Sequence, residues 1–241
     1  MRPSGIITLT TDFGLADAYV GVVKGVILGI NPRAVIVDIT HDVRPQRVEQ
    51  AAFLLANALP YFPPGTVHLA VVDPGVGTPR RALALATPSA VLVGPDNDLL
   101  SAALPDAARP AAGAQVALPP GYRAFHLTNQ AYFRHPVSST FHGRDIFAPV
   151  AAYLSRGLDP SHLGEEVATI QSLPPFAAMT LADGSLHGRV VHIDRFGNLV
   201  TDVRADQLSP AATVKIAGRK LPRVRRTYQE GEGLLAVLGS S

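Results

Sequence analysis

The stretch from Gly5 to Gly14, GIITLTTDFG, decides the fold class. Its first seven residues are rich in isoleucine and threonine, which is typical of a strand, and the strand ends at an aspartate beside a turn glycine. A helical pattern of apolar residues follows, with Asp17 as its expected N-cap and Asn31-Pro32 as its end. The run Ala34 to Ile39 is then apolar except for Asp38, which predicts a strand buried on both faces of a parallel sheet. This strand–helix–strand order predicts an α/β fold.

The same alternation continues and then stops in the second half of the chain. Further helices are predicted at 48–59 and 146–155, and further strands at 67–72, 82–86 and 90–93. After Leu173-Pro174-Pro175 only short strands separated by turns are predicted, at 188–193, 198–203, 213–217 and 234–238. We therefore expect an N-terminal α/β domain over 1–170, with a mostly parallel sheet and flanking helices, and a smaller C-terminal all-β, barrel-like domain over 171–241.

Composition excludes several classes of protein. The chain has 241 residues, 47% of them hydrophobic and 17% charged, which is typical of a soluble globular protein. It has no cysteine, so disulfides, thiolate metal sites and cysteine nucleophiles are excluded. Neither a signal peptide nor an apolar run of about 20 residues is recognisable, which predicts a cytoplasmic protein without a membrane span. The basic residues between 215 and 226 alternate with apolar ones, which favours solvated strand faces over nucleic-acid binding.

Acidic residues follow three of the predicted strands directly, at Asp12, Asp73 and Asp96. The carboxyl ends of parallel strands meet at one edge of a sheet, and ligands of α/β proteins bind there. We therefore expect a site at this edge. Asp12 could accept hydrogen bonds from a ribose diol, or it could cap the helix that follows.

Two short runs combine a carboxylate, a guanidinium and an imidazole. They are VVDPGVGTPRR at 71–81 and TFHGRD at 140–145. Asp73 and Arg80 are seven positions apart across a turn, so an ion pair is expected that keeps the carboxylate ionised and oriented. With His142, this set suffices to position and polarise a water molecule. The alternative for the pair is a purely structural salt bridge.

Other catalytic classes lack their signatures. Six side chains could supply hard metal ligands, at Asp12, His41, Asp42, Asp73, Asp96 and His142. However, HExxH and HxH are both missing, so no metal site is predicted. Gly-x-Ser-x-Gly and the glycine-rich phosphate motifs are missing too. The run DRFGN at 194–198 indicates either an ordinary hairpin turn or a base contact, in which Phe196 would stack and Asn198 would meet the polar edge.

Six ordered motifs resemble one family. They are ITLTTDFG, VDITHDV, VVDPGVGTPRR, LVGPDN, TFHGRDIFAP and IDRFGNLVT. Together they resemble the S-adenosyl-L-methionine hydroxide adenosyltransferases, the hydrolase relatives of fluorinase and chlorinase. The resemblance implies hydrolysis of S-adenosyl-L-methionine to adenosine and L-methionine without a metal or an organic cofactor. It also implies a homotrimer, in which each active site lies between the N-terminal domain of one subunit and the C-terminal domain of its neighbour.

Carried over by motif, the resemblance assigns a role to nine residues. The water-activating set would be Asp73, Arg80 and His142. The substrate contacts would be Asp12 for the ribose hydroxyls, Asp194 and Ser240 for the methionine portion, Asn198 for the adenine edge, and Phe196 and Tyr228 for its faces. The expected reaction is an in-line attack on C5′ by a water that is positioned and polarised rather than deprotonated beforehand. The departing thioether is neutral and needs no general acid.

Three alternatives and two departures stay open at this point. The halogenases resemble this chain but have tyrosine where Asp73 and His142 stand, and fluorinase has a hydroxyl residue where Val76 and Gly143 stand, so halide transfer is disfavoured. A non-catalytic binder of adenosine or S-adenosyl-L-methionine would not need the water-activating set, and a metal-dependent hydrolase would lose activity in chelator.

The chain departs from the family pattern at two places. Asp98 stands where the family usually has glycine. Relatives continue with a further strand and loop, so we expect the C-terminal domain to be shortened at its end.

Overall fold

The computed structural model describes residues 1–110, 113–209, 212–221, 223–227, 229 and 233–239. The chain divides into two compact units, Met1–Pro175 and Phe176–Ser241. Two of the predicted substrate contacts, Tyr228 and Ser240, lie outside the described residues. The domain ranges 1–170 and 171–241 stay predictions.

The first unit contains the helices and the large sheet. Its α-helices are α1 (Tyr19–Ile30), α2 (Val48–Ala58) and α3 (Ala148–Ser155), and a π-helical turn at Gly143–Phe147 runs into α3. Its strands are β1 (Ile6–Thr11), β2 (Val35–Thr40), β3 (Thr66–Val71), β4 (Ala82–Ala86), β5 (Ala90–Pro95), β6 (Ala114–Ala117), β7 (Arg123–His126), β8 (Glu166–Val167) and β9 (Thr169–Ser172). Short 3-10 helices span Leu59–Tyr61, Leu99–Ala103, Asp106–Ala108, Gln130–Tyr132 and Pro160–Leu163.

Seven strands form one mixed sheet in the order β2-β1-β3-β5-β4-β7-β8. The strands β2, β1, β3 and β5 are parallel to one another, and β4, β7 and β8 add antiparallel pairs. β6 and β9 form a separate antiparallel pair. The α/β class predicted from the sequence is confirmed. The parallel strands bring the residues after β1, β2, β3 and β5 to one edge of the sheet.

The main core lies between one face of this sheet and helices α1 and α3. Alternate side chains of β1 and β3, among them Ile7, Leu9 and Leu69, join the buried face of both helices in one cluster. The side chain of Phe147, at the end of the π-helical turn, is fully buried in the same cluster. The core therefore anchors the segment that follows His142 against the strands that precede Asp12 and Asp73.

Two expectations from the sequence are wrong in detail. Asp17 does not cap α1: the helix begins at Tyr19, and its N-cap Ala18 already has helical torsions and makes no side-chain capping bond. β2 is the edge strand of the sheet and is not buried on both faces: its residues are half-buried or exposed, and Val35 is 57% exposed. The apolar run indicated a strand correctly but could not show its place in the sheet.

The second unit consists of short strand pairs. Its strands are β10 (Met179–Thr180), β11 (Leu186–His187), β12 (Val190–Ile193), β13 (Leu199–Thr201), β14 (Val214–Ile216), β15 (Arg219–Leu221), β16 (Val224–Arg225) and β17 (Ala236–Val237), with a 3-10 helix at Ala205–Gln207. They pair in sequence order as β10-β11, β12-β13 and β14-β15, all antiparallel, and β16-β17, parallel. In the described parts of both units, no helix is long and apolar enough to cross a membrane.

Candidate active site

Asp73 and Arg80 form a two-pronged ion pair at the carboxyl edge of the sheet. Asp73 follows β3, and Arg80 precedes β4 at the other end of the intervening turn. The Nε of Arg80 donates to Oδ1 of Asp73 at 2.7 Å, and its Nη2 donates to Oδ2. The two side chains are only 10% and 6% exposed, for Arg80 and Asp73 respectively. The expected ion pair is thus present, and its fork geometry fixes the plane of the carboxylate.

His142 is the third member of this cluster. The Nη2 of Arg80 lies 2.9 Å from Nδ1 of His142. Because a guanidinium can only donate hydrogen bonds, Nδ1 is the acceptor and the proton of the neutral ring is on Nε2. Burial lowers the pKa of His142 below its ordinary value, and the positive charge of Arg80 lowers it further, against the opposing effect of Asp73 and Asp145. The ring is therefore neutral at neutral pH, with Nε2–H as a donor.

The two loops of the cluster are held together by a close backbone approach. Gly77 has a φ of +79°, and a Cβ atom at this position would lie 2.5 Å from the carbonyl oxygen of Ser139. On the other side of the contact, the fully buried Asp145 accepts from Arg144 Nε at 2.7 Å and from the backbone N–H of Ser138 at 2.9 Å. Only glycine tolerates both the positive φ and the close carbonyl oxygen at position 77. The turn before His142 is thus held by the contact of Gly77 with Ser139 and by the bond from Ser138 to Asp145.

An aromatic cluster lies beside His142. The rings of Phe13, Tyr19 and Phe141 meet edge to face, with centroids 5.3 to 6.2 Å apart. A Cβ atom on Gly143 would lie 3.1 Å from Cζ of Phe13. The π-helical turn begins at this glycine, and such turns occur often at functional sites. The cluster therefore packs the loop after β1, which contains Asp12, against the segment that contains His142.

Asp12 is bonded to the loop after β2 rather than to a helix end. Its Oδ2 accepts the backbone N–H of Gln46 at 2.8 Å. No side chain caps α1, so the alternative of Asp12 as a cap of that helix is wrong. No local pattern predicts that Gln46 contacts Asp12. The position of Gln46 in the loop after β2 could have indicated this contact, since the loops after adjacent parallel strands meet at one edge of the sheet.

Asp96, the third acid at this edge, has a structural role. Arg81 Nε donates to its Oδ2 at 2.8 Å, and the backbone N–H of Gln171 donates to its Oδ1 at 2.8 Å. Arg81 also donates to the carbonyl of Thr169 at 2.8 Å. Asp96 therefore joins the end of β5 to β9.

In the second unit, Asp194 organises the turn between β12 and β13. Its Oδ1 accepts the backbone N–H groups of Phe196 and Asn198, both at 2.9 Å, and its Oδ2 accepts Nδ2 of Asn198 at 2.7 Å. The bond from Asn198 is the main cause that lowers the pKa of Asp194. Phe196 is 88% exposed at the tip. All three residues were predicted from the sequence but the bonds between them were not, although the run Asp-Arg-Phe-Gly-Asn is typical of a turn closed by an aspartate side chain.

The structure thus brings Asp73, Arg80 and His142 together in the first unit, and Asp194, Phe196 and Asn198 together in the second. Among the residues that the structure describes, no three His, Asp or Glu side chains are grouped so that they could hold a metal ion.

Comparison with known proteins identifies the family. Residues 7–164 match the model of the SAM hydroxide adenosyltransferase N-terminal domain, and residues 188–241 match that of its C-terminal domain. The chain belongs to the SAM hydroxide adenosyltransferase family. A relative from Thermus thermophilus, named (R)-S-adenosyl-L-methionine hydrolase, is 44% identical over 246 residues, which cover 100% of this chain and 89% of the relative. One of the same name from Salinispora tropica is 44% identical over 212 residues, or 87% of this chain and 76% of the relative.

More distant relatives are named fluorinases. A fluorinase from Actinoplanes sp. is 28% identical over 236 residues, which cover 86% of this chain and 74% of the fluorinase. Among solved structures, an uncharacterized conserved protein from Thermotoga maritima superposes with a TM-score of 0.80 at 34% identity, covering 94% of this chain and 85% of that one. This SAM hydroxide adenosyltransferase chain is thus more similar in sequence to the hydrolases than to the fluorinase.

Proposed function

We propose that this chain hydrolyses S-adenosyl-L-methionine to adenosine and L-methionine. Two relatives of 44% identity are named for this hydrolase activity. The observation that contributes most from the structure is the single nitrogen, Nη2 of Arg80, that donates both to Asp73 and to His142. It orients the carboxylate of Asp73, which can accept a hydrogen bond from one water molecule, and it places the ring of His142 against the same guanidinium.

The proposed water donates a hydrogen bond to the carboxylate of Asp73. Because Nδ1 of His142 faces Arg80, its Nε2–H points away from this pair, and His142 acts by holding the guanidinium. A lone pair of the water then points toward C5′ of the substrate. The carboxylate of Asp73 already accepts two hydrogen bonds from Arg80, so we expect it to polarise the water rather than to deprotonate it beforehand. Holding the water in line with the bond to be broken removes most of the entropic part of the barrier.

The bond changes balance without a cofactor. The water oxygen forms a bond to C5′ while the C5′–S bond breaks, and the electron pair of that bond passes to sulfur. Methionine leaves as a neutral thioether, and the proton released from the attacking water passes to Asp73 and then to solvent. The positive charge on sulfur disappears in this step, so no Lewis acid and no general acid is required. A site with little water favours such a reaction between a polarised water and a cation.

The remaining proposed substrate contacts come from residues of both units. Asp12 would bind the ribose hydroxyls through the oxygen that Gln46 leaves open. Because Nδ2 of Asn198 is held by Asp194, its Oδ1 is available to accept a hydrogen bond from the adenine amino group. Asp194 would also accept the methionine ammonium group, and Phe196 would stack on the base. Tyr228 and Ser240 would complete the adenine and methionine contacts.

A homotrimer would bring these groups together. We propose that the first unit of one subunit and the second unit of its neighbour form each site, as the family resemblance implies. Mixing the variants Asp73→Asn and Asn198→Ala after partial dissociation tests this. Sites between subunits regain activity in mixed trimers, whereas sites within one subunit stay inactive. Size-exclusion chromatography with light scattering gives the oligomeric state.

The decisive test of the reaction is product analysis. Pure protein is incubated with S-adenosyl-L-methionine, with and without chelator, and with fluoride or chloride in parallel. Adenosine and methionine in equal amounts, unchanged by chelator, are the expected products. Halogenated adenosine would indicate halide transfer, loss of activity in chelator would indicate a metal, and binding without turnover would indicate a non-catalytic binder. Each of these outcomes contradicts the proposal, as does turnover that survives in both Asp73→Asn and His142→Ala.

A further inference from the structure

A second buried histidine, His41, lies at the same edge of the sheet but outside the water-activating set. It follows β2 directly, and its side chain is only 2% exposed. Its Nδ1 is 2.8 Å from Oγ1 of Thr11, the last residue of β1. Its Nε2 is 3.1 Å from Oδ1 of Asp38, and Oδ2 of Asp38 accepts from Lys24 Nζ at 2.6 Å. The ring is therefore held by a hydrogen bond at Nδ1, and its Nε2 closely approaches the carboxylate of Asp38.

His41 fixes the turn that contains Asp12. Oγ1 of Thr11 accepts the backbone N–H of Phe13 at 3.3 Å, and the backbone N–H of Gly14 donates to the carbonyl of His41 at 2.8 Å. The side chain and the backbone of His41 thus hold the residues on both sides of Asp12. Burial by itself raises the pKa of Asp38, but its bonds from Lys24 and His41 outweigh this and lower the pKa below its ordinary value. The support of the imidazole is therefore an ionised carboxylate.

The same loop holds the carboxylate of Asp12 through a strained residue. Gln46 has a φ of +65°, which residues other than glycine rarely adopt. In this conformation its N–H points to Oδ2 of Asp12 at 2.8 Å. Backbone strain of this kind persists where the surrounding structure compensates for it, and it concentrates at functional sites. The segment 41–46 therefore contacts Asp12 directly through the Gln46 amide, and it contacts the residues around Asp12 through the Thr11 hydroxyl and the Gly14 amide.

We propose that His41 is a positioning residue, which orients Asp12 so that one carboxylate oxygen faces the ribose hydroxyls. This inference rests on the proposed role of Asp12. A carboxylate discriminates a diol from a deoxyribose only if both partners meet within hydrogen-bonding geometry, which tolerates little rotation. His41 touches no substrate atom in this account. Its effect appears only in the recognition of the two hydroxyl groups.

The test compares adenosine with 2′,3′-dideoxyadenosine, which lacks both hydroxyls. Dissociation constants of the two nucleosides are measured by calorimetry for the wild-type chain, Asp12→Ala, His41→Phe and His41→Asn. Phenylalanine fills the space of His41 without a hydrogen bond, whereas asparagine can restore an acceptor near the position of Nδ1. The matched control is His68→Phe. His68 is equally buried, at 1% exposed, and its Nδ1 bonds Oγ1 of Thr8 on the same strand at 2.7 Å, but it lies away from Asp12.

We expect His41→Phe to lower the preference for adenosine about tenfold, with the affinity for dideoxyadenosine nearly unchanged, since a misaligned hydrogen bond costs about that factor. His41→Asn recovers part of the preference, and His68→Phe keeps all of it despite a comparable loss of stability. If His41→Phe keeps the preference while Asp12→Ala loses it, the inference about His41 is overturned and the role of Asp12 stands. If His41→Phe weakens both nucleosides equally, its role is structural only and the inference is likewise overturned. If Asp12→Ala itself keeps the preference, the proposed role of Asp12 fails, and with it the basis of the inference.

Discussion

Arg80 donates from one nitrogen, Nη2, to the carboxylate of Asp73 and to Nδ1 of His142, the latter at 2.9 Å. The guanidinium thereby sets both the orientation of the carboxylate and the tautomer of the imidazole. It also lies over the ring of Phe147, with Cζ 5.4 Å from the ring centroid, so that its own plane is fixed by the core. Arg80 therefore orients the other two side chains in addition to supplying a positive charge.

Arg80→Lys should lower kcat by about 100-fold or more with little change in KM, since an ammonium group cannot form the fork and reach His142 at once. Steady-state kinetics of S-adenosyl-L-methionine hydrolysis measure this. The neighbouring Arg81→Lys is the matched control, because its partner Asp96 belongs to the structural link to β9, and it should keep kcat. Equal losses in the two variants would contradict the assignment.

The pKa of His142 should set the acid limb of turnover. Because burial and Arg80 lower this pKa from 6.5, the neutral ring persists as the pH falls through 6.5, and kcat should decline only at lower pH. The folded state binds this proton less readily than the unfolded chain, so protonation also lowers the free energy of unfolding below pH 6.5. A pH profile of kcat checks the prediction. The variant His142→Gln, which cannot be protonated, should be slower and lack this limb, and a limb that survives in it would belong to another group.

Gly77→Ala should lower both stability and kcat. The new Cβ atom would lie 2.5 Å from the Ser139 carbonyl oxygen, and the residue has a φ of +79°. The left-handed conformation alone costs about 1 kcal/mol, and the clash moves the turn before His142 in addition. Gly184→Ala separates the two effects, because Gly184 has the same φ of +79° with no atom within 4 Å of the new Cβ. It should lose stability but keep kcat. Thermal unfolding and kinetics on both variants give the comparison.

Asp98→Gly should raise the free energy of unfolding by about 1 kcal/mol at neutral pH, because Asp98 has a φ of +79° that glycine adopts without strain. Burial, and next the nearby charge of Asp96, raise the pKa of Asp98. Its ionisation is therefore disfavoured in the folded state, and the stability that it contributes at low pH is lost as the pH rises through the folded pKa. The gain in Asp98→Gly should accordingly grow between pH 3 and pH 7. Urea unfolding measures both variants. In Asp98→Asn the free energy of unfolding should rise only by the pH-dependent amount, because asparagine keeps the backbone strain. A rise in Asp98→Gly that is the same at every pH would contradict the electrostatic explanation.

His68 should make the fold sensitive to mild acid. Burial lowers its pKa from 6.5 to about 4, so the unfolded chain takes up a proton between these values that the folded chain does not. The free energy of unfolding should fall as the pH falls from 6.5 to 4, by at most about 3 kcal/mol from this group. Urea titrations at several pH values measure the slope. His68→Phe should flatten it, and an unchanged slope would assign it to other residues.

The sequence predicted the first unit well because its signals are local. The strand Ile6–Thr11 and the helix Tyr19–Ile30 follow from β-branched runs, apolar periodicity and the Asn31-Pro32 stop. The edge position of β2 was not predictable, since neighbours in a sheet are decided by long-range pairing. The start of α1 was missed because Ala18 already has helical torsions, so the helix needs no side-chain cap.

The candidate site was predictable in its members but not in its bonds. Asp73, Arg80 and His142 could be named from residue type and spacing, and the ion pair followed from their charges. The bond from Arg80 to His142 spans 62 positions, and the bond from Gln46 to Asp12 spans 34. Contacts of such separation depend on how loops meet at the sheet edge, which no local pattern encodes. The left-handed backbone of Gln46 was equally invisible, because nothing in its side chain favours that conformation.

The turn that closes on Asp194 has a consequence for the kinetics of recognition. The backbone N–H groups of Phe196 and Asn198 and the side-chain amide of Asn198 are already bonded to one carboxylate. The loop would therefore lose little conformational entropy on binding a base. An aromatic side chain on such a stiff support is a low-entropy contact surface, because only its own two torsions need to settle. For the proposed base contact, binding would then be governed by encounter rather than by a rearrangement of the loop, and its association rate should approach that of a preformed binding surface.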